Sequence, residues 1–521
     1  MFTQFRWTIV LILLVVVAGP ASSRPTPEEL GAKTHMVKMR DGVRLATYVY
    51  LPSDGKPAPV LLMRTPYSRR WPAVYQHKEG YAVVIQDMRG RFDSEGANLP
   101  FDSDIQDGYD TLEWIAAQPW CNGRIGMYAG SAMGIAQIMA ACSGTERLTS
   151  LQISNALPNL YEMAYVNGLF RQSIVEGWLS ENKFDPKALK IWASHPTYDD
   201  YWRKHDATRL FDKVDVPATH AGGWYDLFAQ GTIDAFVGFQ TQGRERALGK
   251  QKLVMGVDPH TWDEQSPEIC FPRANEAPGI SLAEKTPAVT YFVMGDATDP
   301  SAPGNCWRTA DAWPPLKTRQ NPIYLHSDKT LGMEKNSLGG SRAYDYNPKN
   351  PVPTVGGPQY YLPAGPRDQR MIESRPDVLV FTSAPLEEPL EVTGRVTARL
   401  WVSTDAPDTD FFVRLCDVYP DGRSINICEG GRRVRLRDSL STEKAVEAGK
   451  PYLLEIDMWS TSIIFNKGHK LRVHVTSSCA PGYIPNSNTG KYPYSDTTRI
   501  AHNTIYLDKT HPSCVLLPVP E

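Results

Sequence analysis

The stretch around Ser131 constrains the fold of this chain more than any other. A strand-like run over residues 124–128 leads through Ala129 and Gly130 into a serine, and a helix-like run begins directly afterwards. A serine among small residues at a strand-to-helix turn is typical of a nucleophile elbow, which exposes the hydroxyl and frees the next backbone N–H. The match to G-x-S-x-G is partial, because Ala129 stands two positions before the serine and Gly134 comes one position late. The pattern predicts a parallel sheet with a nucleophilic serine; the alternative is an ordinary glycine-serine turn.

Two downstream segments supply partners for Ser131 in the expected order. A strand-like run over 216–221 leads to Asp226, and another over 252–257 leads to His260. Serine, acid and histidine on loops after successive strands follow the order of α/β-hydrolase triads. An imidazole accepts a serine proton near neutral pH, and a carboxylate fixes its tautomer and stabilises the imidazolium. The alternatives are that Asp226 caps a helix and that His260 is a structural residue in a proline turn.

The order of predicted elements divides the chain into regions. Strands at 60–64 and 81–86 alternate with helices at 107–117 and 132–142, which predicts a parallel α/β sheet. An aromatic, helix-rich stretch at 157–211 interrupts this pattern and is expected to cap the site; its aromatics either shape an acyl pocket or form only the core of the cap. The sheet resumes at 216–224 and 252–257 and is expected to end near Gly295.

After about residue 315 the pattern changes to strands separated by turn residues, which favours a β-sandwich. The predicted domains are therefore a catalytic domain at 30–156 and 212–315, a helical cap at 157–211 and a sandwich at 316–521. Strands of the sandwich are predicted at 323–325, 378–382, 390–402, 411–418, 453–458, 470–477, 503–507 and 515–519.

Several ordered motifs add a family resemblance to this pattern. They are Met-Arg-Thr-Pro-Tyr at 63–67, Val-Ile-Gln-Asp-Met-Arg-Gly-Arg at 84–91, Asp-Gly-Tyr-Asp-Thr-Leu-Glu-Trp at 107–114, Gln-Pro-Trp at 118–120, Gly-Gly-Trp-Tyr-Asp at 222–226 and Ser-Thr-Asp-Ala-Pro-Asp-Thr-Asp at 403–410. With them the chain resembles the CocE/NonD hydrolases, the group of cocaine esterase, α-amino-acid ester hydrolases, glutaryl acylases and X-Pro dipeptidyl-peptidases. The resemblance implies an α/β-hydrolase domain with an inserted helical cap, followed by a C-terminal jelly roll.

The resemblance also implies roles for five residues. Ser131 is expected to be the nucleophile, Asp226 the acid and His260 the base. The oxyanion hole is expected to consist of the Tyr67 hydroxyl and the backbone N–H of Ala132, and each such donor stabilises a transition state by a few kcal/mol. The alternative for Tyr67 is a packing residue with its hydroxyl in water.

The chain departs from its relatives at two of these places. Relatives often carry tyrosine where Ala132 stands, which leaves the backbone N–H intact and alters the pocket wall. Relatives commonly read Gly-Pro-Trp-x-His at the base, whereas here Asp258 places a second carboxylate near His260. Asp87 and Arg89 are predicted to form a buried structural pair that supports the elbow.

The net charge of −3 gives no electrostatic case for binding nucleic acid or an anionic membrane. The expected partner is a small-molecule ester or amide, no stable membrane anchor is expected, and a homo-oligomer is left open. The expected reaction uses neither a cofactor nor a metal.

Residues 1–23 resemble a signal peptide, with Arg6 before an apolar run and small residues at the end. This predicts a secreted or periplasmic protein; the alternative is an uncleaved signal anchor. Export would permit disulfides among the eight cysteines, with Cys416–Cys428 and Cys270–Cys306 as candidate pairs, although buried free thiols explain the same residues equally well.

The sequence therefore predicts a secreted serine hydrolase that cleaves small carboxylic esters or amides through an acyl-enzyme. An X-Pro dipeptidyl-peptidase is the less favoured alternative, because no additional N-terminal domain of the kind found in those enzymes is recognisable. An α-amino-acid ester hydrolase or acyltransferase would need carboxylates near the acyl pocket, for which Glu162, Glu176, Asp199 and Asp200 are candidates. A non-enzymatic alternative is a binding protein with a vestigial hydrolase domain.

Overall fold

The computed structural model describes residues 26–70, 76–260, 271, 286–335 and 339–521. The predicted signal peptide and Cys270 lie outside the described residues. Within the described part of the chain, no helix is long and apolar enough to cross a membrane.

A ten-stranded sheet forms the centre of the catalytic domain, in the order β1-β2-β4-β3-β5-β6-β9-β10-β11-β12. The seven strands from β4 to β11 in this order run parallel, while β1, β2 and β12 pair antiparallel at the two edges. The central strands are almost continuously apolar because elements cover both faces of the sheet. The strands are β1 (Lys33–Lys38), β2 (Arg44–Tyr50), β3 (Ala58–Thr65), β4 (Ala82–Asp87), β5 (Cys121–Gly130), β6 (Leu148–Ser154), β9 (Ala218–Gly223), β10 (Lys252–Gly256), β11 (Val289–Val293) and β12 (Cys306–Ala310).

Three helices of the catalytic domain follow strands of this sheet. They are α1 (Asp104–Ala116), α2 (Ala132–Cys142) and α7 (Ala229–Gln242). All eleven residues of α2 are buried, in keeping with its apolar, small-residue sequence Ala-Met-Gly-Ile-Ala-Gln-Ile-Met-Ala-Ala-Cys. The helix therefore packs closely against its neighbours and holds the residue before it, Ser131, in a fixed place.

The segment between β6 and β9 forms the cap, and its core is aromatic. Trp178, Trp192 and Trp202 are buried there, and the Tyr161 and Tyr165 rings stack 5.4 Å apart. This core is continuous with that of the catalytic domain. The cap comprises α3 (Leu160–Ala164), the short hairpin β7 (Tyr165–Val166) and β8 (Leu169–Phe170), α4 (Gln172–Glu181), α5 (Lys187–Ser194), α6 (Asp200–Arg203) and a 3-10 helix, Ala207–Lys213.

The C-terminal region is a β-sandwich of two antiparallel sheets. One contains β14-β13-β23-β17-β22-β15, with β20 also paired to β17, and the other contains β16-β21-β18-β19. A single hydrophobic core joins the sandwich to β10 and β11 of the catalytic sheet. Its elements are β13 (Thr318–Leu325), β14 (Leu331–Gly332), β15 (Ser341–Tyr346), α8 (Arg370–Glu373), β16 (Leu379–Thr382), β17 (Leu390–Thr404), β18 (Asp410–Val418), β19 (Ser424–Arg433), β20 (Tyr452–Phe465), β21 (Lys470–Thr476), β22 (Ala501–Tyr506) and β23 (Cys514–Pro520).

The fold class predicted from the sequence is confirmed, and several details differ. The catalytic sheet continues past the predicted end near Gly295, because β12 adds an antiparallel edge strand whose half-buried sequence has little apolar alternation. Helix α1 begins three residues earlier than predicted, at Asp104, and β20 extends to Phe465 rather than ending at Met458. The domain boundaries themselves stay a prediction.

The cysteines of the described residues are free thiols. Cys416 lies opposite Asn426 and Cys428 opposite Leu415 across the β18–β19 hairpin, so the candidate hairpin disulfide is absent and the free-thiol alternative describes these residues. A bulge between Leu415 and Cys416 shifts the register and separates the two thiols along the ladder. Cys306 is also free.

Candidate active site

The backbone at Ser131 has the strained geometry of a nucleophile elbow. Its φ of 57° and ψ of −132° lie in a region that residues with a side chain rarely adopt. Strand β5 ends one residue before it and α2 begins one residue after it. The tight turn therefore projects the serine from the carboxyl edge of the parallel sheet, where ligands bind in such folds.

The glycines beside Ser131 are needed for close packing. A Cβ at Gly130 would lie 2.8 Å from the backbone oxygen of Ser154, and a Cβ at Gly134 would lie 2.8 Å from the Cβ of Ala156. The glycine that comes one position late in the motif is thus the one that lets α2 approach the end of β6.

Ser131, His260 and Asp226 form one hydrogen-bonded chain. His260 Nε2 lies 2.9 Å from Ser131 Oγ, and His260 Nδ1 lies 2.7 Å from Asp226 Oδ2. The other carboxylate oxygen of Asp226 accepts a hydrogen bond from the backbone N–H of Phe228 at 2.6 Å. Asp226 is fully buried. The structure therefore brings together the three residues that the sequence singled out, with the geometry of a serine-histidine-aspartate triad.

The loop that carries Asp226 is anchored to other parts of the molecule. The Tyr225 hydroxyl donates to the backbone oxygen of Asn426 in β19 at 2.8 Å, and Trp224 Nε1 donates to the backbone oxygen of Phe292 at 2.8 Å. From the cap, Arg171 Nη1 donates to the backbone oxygen of Leu227 at 3.1 Å. Contacts from the sandwich, the catalytic sheet and the cap thus fix the position of Asp226 beside His260.

Tyr67 and Ala132, the two donors predicted for an oxyanion hole, both lie beside Ser131. The Tyr67 hydroxyl accepts a hydrogen bond from Trp178 Nε1 at 2.9 Å and interacts with the Ser131 side chain. Burial of this hydroxyl raises the pKa of Tyr67 to about 12, so the phenol stays protonated and can donate. The N–H of Ala132 opens α2, and the first N–H groups of a helix have no acceptor within the helix.

The rings around His260 come from two distant parts of the chain. Phe228 and Tyr360 both approach the imidazole edge-on, with ring centroids 5.4 and 5.3 Å from its own. Beside Tyr360, the Tyr361 hydroxyl donates to Glu181 on α4, and its ring lies against Gly177. Tyr360 and Tyr361 were missed in the sequence because they follow the sheet by a long interval and carry no motif.

Other predicted residues are placed differently. Asp87 and Arg89 do not pair with each other: Asp87 forms an ion pair with Arg69, while Arg89 binds Asp107 at 2.6 Å and Asp41 at 2.8 Å. Both residues therefore remain structural. Asp87, at the end of β4, pairs with Arg69, whereas Arg89 pairs with Asp107 on α1 and with Asp41. Asp258, which the sequence predicted to place a second carboxylate near His260, is exposed.

Three of the four carboxylates considered for binding a substrate ammonium have hydrogen-bond partners within the described structure. Glu176 accepts from Tyr494 at 2.7 Å, Asp199 from His195 at 2.6 Å, and Asp200 from Arg203 at 2.5 Å. Glu162 lies near Asp234 and Asp457, and burial together with these charges raises its pKa to about 8. None of the contacts described for these four groups reaches the triad.

Two family models and a curated relative match most of this chain. The family model of the X-Pro dipeptidyl-peptidase (S15 family) matches residues 41–184 and 176–262, and that of the X-Pro dipeptidyl-peptidase C-terminal non-catalytic domain matches 282–516. The chain is 33% identical over 578 aligned residues to cocaine esterase of Rhodococcus sp. (strain MB1 Bresler), covering 94% of this chain and 98% of that protein.

Solved structures show the same fold. An aminopeptidase from the marine sediment archaeon Thaumarchaeota archaeon superposes with a TM-score of 0.78 at 23% identity, over 97% of this chain and 99% of the other. A CocE/NonD family hydrolase from Staphylococcus aureus superposes with a TM-score of 0.72 at 20% identity, over 94% and 93%. These matches extend over the catalytic, cap and sandwich regions alike, and the chain belongs to the CocE/NonD family of serine hydrolases, which act on esters or peptides.

Proposed function

We propose that this chain is a secreted hydrolase that cleaves small carboxylic esters or amides through an acyl-enzyme formed on Ser131. The observation that carries the proposal is the continuous hydrogen-bonded chain from Ser131 through His260 to buried Asp226. A vestigial hydrolase domain would have no functional reason to retain this geometry together with the strained backbone of Ser131.

In the first half of the reaction, Ser131 Oγ attacks the substrate carbonyl carbon while His260 Nε2 takes the serine proton. The carbonyl oxygen becomes an oxyanion that accepts hydrogen bonds from the Tyr67 hydroxyl and the Ala132 N–H. The bond to the leaving group then breaks, and His260 returns the proton to the departing oxygen or nitrogen. The acyl group remains esterified to Ser131.

In the second half, His260 removes a proton from a water molecule, and the resulting hydroxide attacks the acyl carbon. The second oxyanion uses the same two donors. Its collapse releases a carboxylic acid and returns the proton to Ser131 Oγ. Asp226 accepts a hydrogen bond from His260 throughout and stabilises the imidazolium present in both halves.

Esters are the favoured substrates, because the relative with 33% identity over nearly its whole length is named as an esterase. The aromatic rings beside the triad, Trp178, Phe228 and Tyr360, give the site apolar walls suited to an apolar acyl group. A dipeptidyl-proline amide is the second candidate, favoured by the match to the S15 family model.

Turnover of a panel of short p-nitrophenyl esters, α-amino esters and dipeptidyl-proline anilides tests the substrate class. We expect ester hydrolysis by the wild-type protein, labelling of Ser131 by a fluorophosphonate probe, and loss of both in Ser131→Ala. The matched control is Ser143→Ala at the opposite end of α2, whose hydroxyl bonds only to Ala140 in the described structure. Labelling that persists in Ser131→Ala would refute the assignment of the nucleophile, and cleavage restricted to the anilides would favour the peptidase.

Secretion is a separate part of the proposal and is supported by the sequence of residues 1–23. We expect the mature protein to be recovered outside the cytoplasm with an N-terminus near residue 22 or 24. N-terminal sequencing of the exported and cell-associated fractions tests this. An intact Met1 in the active protein would contradict it.

A further inference from the structure

Trp178 is a cap residue whose polar atom points at the proposed oxyanion hole. It lies on α4, is buried, and donates through Nε1 to the Tyr67 hydroxyl at 2.9 Å. Its ring stacks on Phe101 with an interplanar angle of 9° and packs against Phe184 at 4.7 Å between centroids. These neighbours fix the orientation of the indole and therefore the direction of its N–H.

The indole determines which way the Tyr67 proton points. An indole N–H can only donate, so the Tyr67 oxygen must accept from Trp178 and its own proton must point elsewhere. Tyr67 also interacts with the side chain of Ser131. The phenol is therefore left to donate on the side of the nucleophile, where the oxyanion develops.

Asp226 fixes the other end of this series of hydrogen bonds. An ionised carboxylate can only accept, and Asp226 accepts from the Phe228 backbone N–H and from His260 Nδ1. With Nδ1 protonated, His260 Nε2 accepts from the Ser131 hydroxyl. A chain that begins at a group that can only donate and ends at a group that can only accept has a single direction.

We propose that Trp178 is a positioning residue that orients the Tyr67 hydroxyl as a donor to the oxyanion, so that the cap sets the direction of the hydrogen bonds in the active site. This inference rests on the proposed function and goes beyond it, because it assigns to the cap a part in the chemical step as well as in the shape of the pocket. Trp178 acts through Tyr67 and does not itself contact the reacting atoms.

The test is a double-mutant cycle in the full-length chain. Trp178→Phe removes the N–H and keeps an aromatic ring between Phe101 and Phe184. We expect its kcat to fall about two- to tenfold with KM unchanged, the effect of one neutral hydrogen bond that matters in the transition state. In a Tyr67→Phe background the same substitution should change kcat by less than about 1.5-fold, because its target is gone.

Trp192→Phe is the matched control. Trp192 is a second buried cap tryptophan, and its Nε1 donates to the Tyr201 hydroxyl at 3.1 Å, away from the triad. We expect its kcat to match the wild type. If Trp178→Phe does not fold, a tryptophan analogue in which sulfur replaces the indole N–H supplies the same deletion with nearly unchanged shape.

Equal losses of kcat from Trp178→Phe in the wild-type and Tyr67→Phe backgrounds would overturn the proposal. That result is expected if Trp178 serves only as a wall of the pocket, because a wall acts independently of Tyr67. A loss expressed in KM alone would overturn it as well. A readout independent of turnover is the indole N–H resonance of Trp178, which should shift in Tyr67→Phe and not in Ser143→Ala. A resonance that does not move refutes the inference, whereas failure of fluorophosphonate to label the wild type refutes the proposed function.

Discussion

Replacing Asp226 with asparagine should abolish most turnover, for a reason that lies in one backbone hydrogen bond. The Phe228 N–H is fixed in the main chain and lies 2.6 Å from Asp226 Oδ1. In Asp226→Asn the amide oxygen must occupy that position, so the amide NH₂ faces His260 Nδ1. Because an NH₂ group only donates, His260 must then carry its proton on Nε2, where it can no longer accept the proton of Ser131.

The size of the loss follows from the alternative orientation. Turning the amide around restores the productive tautomer but leaves the buried Phe228 N–H facing a second donor, at a cost of about 1–3 kcal/mol. This alone lowers the productive population by about 5- to 150-fold. Losing the charge-assisted bond to the imidazolium removes about 1.5–3 kcal/mol more, and together these effects predict a fall in kcat of about 10²- to 10⁴-fold.

The assay compares kcat for the best ester, the rate of fluorophosphonate labelling and the thermal unfolding midpoint. The matched control is Asp234→Asn on the next helix, which accepts from Gln230 at 2.8 Å and has no contact with the triad in the described structure. We expect Asp226→Asn to fold with kcat reduced about 10²- to 10⁴-fold, and Asp234→Asn to keep the wild-type kcat. An Asp226→Asn variant that retains more than about a tenth of wild-type kcat would refute the argument from the fixed backbone donor.

Three further predictions concern the oxyanion hole, the elbow and pH. Tyr67→Phe should lower kcat about a hundredfold in a protein that still folds, and unchanged turnover would leave only backbone donors. Gly134→Ala should destabilise the protein by up to about 2 kcal/mol in urea unfolding, because its new Cβ would meet Ala156 at 2.8 Å; a more stable variant would contradict the close packing. Burial alone would lower the pKa of His469, but hydrogen bonds and charge from Asp417 and Asp296 outweigh it and raise the pKa above 6.5. Its contribution to stability should be fully present below about pH 6.5 and lost as pH rises through the raised value, whereas His469→Gln should lack this dependence.

The sheet, helix α2 and the grouping of three polar residues at one edge of the sheet could be predicted from the sequence, because each depends on local signals. Ser131, Asp226 and His260 each follow a strand, and parallel strands bring their carboxyl ends to one edge. Edge strand β12 escaped prediction, since a strand at the rim of a sheet has no need of a continuous apolar sequence.

Contacts between distant segments were beyond the reach of sequence patterns. Arg89 pairs with Asp107 rather than Asp87, a choice made by side-chain geometry once the strands are assembled. The approach of Tyr360 to His260 depends on how the sandwich docks onto the sheet. In the sequence, Trp178 cannot be distinguished from the other aromatic residues of the cap, because what sets it apart is its hydrogen bond to the distant Tyr67.

The contribution of the sandwich to the site bears on how this enzyme could diversify. Tyr360 borders the base, and Asn426 holds the loop of the acid through Tyr225. Selection for a new substrate can therefore act on codons far downstream of the triad, and exchange of the C-terminal half between relatives would alter catalysis along with stability. A mutagenesis library confined to residues 41–262 would leave this wall of the site unsampled.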